Sequence, residues 1–76
     1  MKLNEMKVGV PCKVVTVGGE GMLRRRLLDM GLTPRTKLKI TKTAPMGDPI
    51  ELFLRGYSLT IRKDEAERIE VEIIDE

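Results

Sequence analysis

From Pro49 to Lys63 the chain alternates with a period of two. Ile50, Leu52 and Leu54 are interleaved with Glu51, Phe53 and Arg55; Gly56 interrupts; then Tyr57, Leu59 and Ile61 are interleaved with Ser58, Thr60 and Arg62. Such alternation sends successive side chains to opposite faces of a sheet, so the segment reads as a hairpin with one buried face. Pro45, Gly47, Asp48 and Pro49 punctuate its entry. A hairpin is only marginally stable alone, so the remaining residues must complete a sheet around it.

They contain suitable pieces. Leu3 and Met6 have helical spacing, with Asn4 placed to cap a short turn that Pro11 prevents from continuing. Cys12–Val17 reads as a strand with Cys12, Val14 and Thr16 inward. Val15 and Val17 then face the other way, which predicts cover on both sides. Residues 22–30 read as a helix carrying Leu23, Leu27 and Met30 on one stripe. Gly31 suits a left-handed ending that brings Leu27 against Leu32, and Pro34 stops the helix. Thr36–Thr43 is a further strand, with Leu38 and Ile40 inward. Asp64 is placed to cap one turn through Glu67, and Ile69, Val71 and Ile73 alternate in a last strand. Five short strands and one inserted helix predict a mainly β, single-domain fold over residues 1–76, closed as a small barrel.

Composition restricts function more than it suggests one. With 76 residues there is little interior for a catalytic cavity. Histidine is absent, which removes the commonest general base and metal ligand. The lone cysteine, Cys12, lies in a strand and reads as a buried thiol. Gly18-Gly19-Glu20-Gly21 lacks the Lys-Ser/Thr ending of a phosphate loop. These features argue against an enzyme. No apolar run approaches the ~20 residues of a membrane span, and residues 1–7 lack a signal-peptide core; a cytoplasmic protein is expected.

Charge is unevenly placed. Residues 1–63 carry thirteen Lys/Arg against five Asp/Glu, whereas residues 64–76 carry seven Asp/Glu and only Arg68. An acidic last strand pairing with basic neighbours accounts for the asymmetry. Arg24, Arg25 and Arg26 lie on the polar side of the helix, with Arg25 in reach of Asp29. Together with Leu28, off the main stripe, with Leu32, and with Met46 in a turn, they form the candidate partner-binding set.

The segments Arg26-Leu27-Leu28-Asp29-Met30-Gly31-Leu32-Thr33-Pro34, Ala44-Pro45-Met46-Gly47-Asp48-Pro49, Leu54-Arg55-Gly56-Tyr57, Ile61-Arg62-Lys63-Asp64-Glu65-Ala66 and Ile69-Glu70-Val71 resemble the FeoA family, small proteins tied to bacterial ferrous iron uptake. The resemblance implies an SH3-like barrel with inserted helical elements, and a regulatory role beside the membrane transporter FeoB in iron homeostasis. It supplies no catalytic residues. Arg35 stands where the family commonly has glycine. A positive φ there would strain an arginine, and the expectation is a slightly different loop.

The resemblance also implies an alternative: a transition-metal-binding or metal-sensing domain related to the C-terminal domain of iron- and manganese-dependent repressors. Ferrous or another divalent transition metal would want imidazole, carboxylate or thiolate. The chain offers one thiol, no imidazole, and carboxylates mostly in its tail. No cofactor is therefore expected. Nucleic acid is not expected either, because only Phe53 and Tyr57 could stack on bases. Oligomeric state is left open.

Overall fold

Every strand turns one row of apolar side chains toward a common core, and the remaining elements close that core from the sides. The computed structural model describes residues 1–74. A 3-10 turn, Leu3–Glu5, precedes strand β1 (Cys12–Val17), helix α1 (Gly21–Asp29), strands β2 (Lys37–Thr43), β3 (Ile50–Leu54) and β4 (Tyr57–Ile61), the single-turn helix α2 (Lys63–Ala66) and strand β5 (Ile69–Ile73). The antiparallel sheet runs β4-β3-β2-β1-β5. Its two end strands are joined in sequence through α2 rather than by a ladder. Leu38, Ile40, Ile50, Leu52, Leu54, Ile61, Ile69 and Val71 fill the centre.

The expected β3–β4 hairpin forms, with Leu54 opposite Tyr57 and Ile50 opposite Ile61. Its two-residue turn places Arg55 at φ 47° and Gly56 at φ 84°. Positive φ at both central residues is the primed geometry that matches the strand twist.

Two bulges depart from simple alternation. Between β1 and β5, Val14 faces Val71 but Thr16 faces Glu70, so Val15 is an extra residue. A one-residue slip reverses the faces beyond it. Val17 therefore enters the core and Thr16 is exposed, the reverse of the expectation. Val15 is exposed as well, so β1 is not covered on both sides. Thr41 is the matching extra residue in β2, and its hydroxyl donates to Glu51 Oε2 at 3.1 Å.

Helix α1 ends as predicted. Gly31 has φ 102°, the Leu32 amide donates to Leu27 O at 3.2 Å, and the Gly31 amide to Leu28 O at 3.0 Å. These are the paired bonds of the Schellman ending. Leu27 and Leu32 are both fully buried, each contributing about 1.5–3 kcal/mol of apolar burial. Tyr57 Oη donates to Met30 O at 2.6 Å, tying the helix end to the start of β4.

The helical turns are capped differently from the expectation. Asn4 lies inside its turn with Oδ1 buried and unpartnered, while Glu5 Oε1 reaches back to accept the Lys2 amide at 2.7 Å. Asp64 sits inside α2. The Lys63 amide instead donates to Asp48 Oδ1 at 3.0 Å, and the Arg62 amide to Glu65 Oε1 at 2.8 Å. Arg35 adopts φ 74°; the loop does not avoid the strain. The Arg35 amide donates to Val14 O at 2.7 Å, and the Val14 amide to Thr36 O at 2.9 Å.

Arg35→Gly is expected to stabilise the protein by about 0.5–1 kcal/mol, the left-handed cost for a side chain less glycine's entropy. A Cβ on Gly31 would stand 2.5 Å from Tyr57 Oη, so Gly31→Ala should cost about 2 kcal/mol through strain and the disturbed Tyr57 bond. Urea midpoints at constant slope measure both.

Candidate partner-binding site

The three arginines of α1 divide by what they touch. Arg24 Nε donates to Val17 O at 3.2 Å, fixing the helix to the end of β1. Arg26 Nη1 stands 2.9 Å from Glu65 Oε2, its side chain 64% exposed and the glutamate's 6%. That oxygen is buried without an aligned hydrogen bond, so the pair is chiefly a charge contact. Arg25 points outward and forms no ion pair among the described residues; the expected partner, Asp29, only lines the same hollow. That hollow, of about 370 Å³, is bounded by Met22, Arg25, Arg26, Asp29 and Met30.

The apolar candidates separate in the same way. Leu32 is fully buried and cannot touch a partner, because the helix ending uses it against Leu27. Leu28 is half-buried and packs on the core. Met46 is 88% exposed in the loop between β2 and β3. Met22, at 87%, is a surface methionine absent from the expected set. Its signal was present in the sequence, as a methionine just off the Leu23–Leu27–Met30 stripe.

Arg26 also borders a second hollow, lined by Pro49, Thr60, Ile61, Arg62 and Glu65. The α1 surface therefore continues past Arg26 to the base of the Met46 loop and to β4. The structure brings Met22, Arg25 and Arg26 together and joins them to Pro49 and Thr60; it removes Leu32 from the set.

The acidic tail is largely engaged with its own chain. Glu70 accepts from the N-terminal ammonium at 3.0 Å and pairs with Lys2 at 3.4 Å, and Glu72 pairs with Lys13 at 3.0 Å. The bond from the ammonium, with help from Lys2, holds the Glu70 carboxyl below its ordinary value. Burial pushes the Cys12 thiol up to about 11, so at neutral pH it is protonated and a poor metal ligand. Among the described residues no three of His, Cys, Asp and Glu come together to hold a metal, and no helix is long and apolar enough to cross a membrane.

The model of the FeoA domain matches residues 1–73. A Porphyromonas gingivalis protein described as a Fe(2+) transport protein A/Fe(2+) transporter FeoB fusion is 34% identical over 97% of this chain, which spans only 9% of that protein. The solution structure of a FeoA-like protein from Clostridium acetobutylicum is 46% identical, with a TM-score of 0.90 over 100% of this chain and 88% of that one. At 22% identity the fold alone is shared with a Stenotrophomonas maltophilia protein, described as an SH3 domain and crystallised with zinc; its TM-score is 0.83 over 95% of this chain and 89% of that one.

Arg26→Ala should cost about 1 kcal/mol, because a buried carboxylate loses its counter-charge while an exposed arginine limits the effect. Arg25→Ala should stay within about 0.5 kcal/mol; chemical denaturation separates them. A carboxyl held low stabilises the fold above its unfolded pKa, and that contribution is lost as pH falls through the folded value. Glu70→Gln should therefore lower stability at neutral pH and flatten its decline on the acid side, as read from melting temperature against pH.

Proposed function

The chain belongs to the FeoA family of ferrous iron transport, and we propose that it acts there as a small cytoplasmic accessory domain that binds the membrane ferrous iron transporter. The observation that carries this reading is the fusion relative, in which a similar domain is covalently part of a chain described as the transporter. A domain joined to another in one chain works at a high effective concentration beside it. A domain of the same family on a chain of its own would need a contact surface to hold that position.

The surface proposed for that contact is the outer side of α1 with the Met46 loop. Met22 and Met46 supply exposed, adaptable apolar contacts. Arg25 supplies an uncommitted planar fork for a carboxylate. Arg24, Arg26 and Leu28 support this surface from within the fold, and Leu32 is excluded from it. We propose no catalytic role for the chain. The metal-binding and metal-sensing alternative has no cluster of ligands to rest on among the described residues.

Titration of the transporter's cytosolic part should show binding that Arg25→Glu with Met46→Asp weakens roughly tenfold or more, equivalent to about 1.4 kcal/mol. Absence of any complex tighter than about 1 mM, with the transporter's membrane part also supplied, would overturn the assignment.

A further inference from the structure

The chain holds its sulfur in Cys12 and five methionines, and the fold sorts these by access. Cys12 is completely buried in β1. Burial keeps its thiol protonated at neutral pH, whereas peroxides react with the thiolate. Met6 lies in the core and Met30 packs against it. Met1 is half exposed beside β5, with its backbone paired to Val71. Only Met22 and Met46 are almost fully exposed.

Neither of these two side chains supports the fold. Met46 occupies a tight turn that backbone bonds hold: the Gly47 amide donates to Ala44 O at 2.7 Å, and the Ala44 amide to Pro49 O at 3.1 Å. Met22 lies in the first turn of α1 and takes no part in the core. Both belong instead to the surface proposed above for the partner, and the inference rests on that reading. An apolar thioether that becomes polar loses its value at such a contact. A fold that does not bury it loses nothing.

The surroundings of Met22 add to the effect. It shares its hollow with Arg25 and Arg26, three and four positions along the helix, where side chains of one face meet. A thioether sulfur is only a weak acceptor, but a sulfoxide oxygen is a strong one. Arg25 forms no ion pair among the described residues. Oxidation of Met22 therefore removes an apolar contact and offers Arg25 an acceptor within its own chain.

We propose that Met22 and Met46 form a peroxide-sensitive modification site, whose oxidation to the sulfoxide releases the domain from its partner and leaves the fold intact. The thioether sulfur gives an electron pair to one oxygen of hydrogen peroxide. The O–O bond breaks, an S–O bond forms, and the second oxygen leaves as water with both protons. Sulfur is thereby oxidised by two electrons and the peroxide reduced by two. Reversal takes a reductase for each sulfoxide epimer, with a dithiol as reductant; the dithiol becomes a disulfide and the oxygen leaves as water.

The test treats the protein alone with hydrogen peroxide at neutral pH and then removes the oxidant. Peptide mass spectrometry follows each sulfur, and titration follows binding to the transporter's cytosolic part. Met22 and Met46 should gain oxygen roughly tenfold faster than Met6 and Met30, with Cys12 unmodified. Binding should then weaken roughly tenfold or more as both apolar contacts are lost. The melting temperature should move by less than about 4 °C, as for other surface changes. Both sulfoxide reductases with a dithiol should restore the affinity. The variant Met22→Leu with Met46→Leu, whatever its own affinity, should lose none on peroxide treatment. If that variant does not bind, reversal by the reductases in the unsubstituted chain carries the test. Binding that survives oxidation of both sulfurs overturns the proposal and leaves the accessory reading standing. Peroxide-dependent loss in the leucine variant, or faster oxidation of Met6 or Cys12, places the sensitive group elsewhere and also overturns it. No binding before any treatment overturns both.

Discussion

The left-handed turn at Gly31 carries the arrangement of the whole surface. It reverses the chain in the space that closes Leu27 onto Leu32, and it leaves Met30 O free to accept Tyr57 Oη. One residue thus ends the helix, fills the core and fixes the helix against the β4 hairpin. A Cβ there would meet the tyrosine oxygen. The rotation of α1 about its own axis follows from this ending. Leu27 must face the core, so Arg25 and Met22 face outward and Arg26 falls within reach of Glu65.

Electrostatics is organised by sequence distance. The basic first part and the acidic last part of the chain are brought side by side, because β5 pairs with β1 and with the first residues. Exposed pairs of this kind contribute little individually, and their main effect is to consume negative charge. Among the described residues, the cations outside these pairs include Arg25 on α1 and Lys37, Lys39 and Lys42 on β2, and the acids outside them include Asp29 and Asp64.

The features legible in the sequence were those that depend on neighbours along the chain. The hairpin followed from alternation and its Gly56 turn, and the helix stop from Leu27, Gly31, Leu32 and Pro34. What was not legible depends on distant partners. The bulge at Val15 has no local signal, since Lys13-Val14-Val15-Thr16-Val17 alternates equally well in either register; the pairing with β5 decides it. Asp64 is an adequate local cap, but Asp48, fifteen residues away, reaches the Lys63 amide. Arg35 takes the left-handed conformation because the amide of Arg35 and the carbonyl of Thr36 are both bound to β1, a constraint written on neither residue. The candidate site shows the same division. Arg25 and Met46 were readable as exposed, whereas Arg24 and Arg26 acquire internal partners only in the fold. Leu32 carried two readings at once, helix ending and contact residue, and core burial admits only the first.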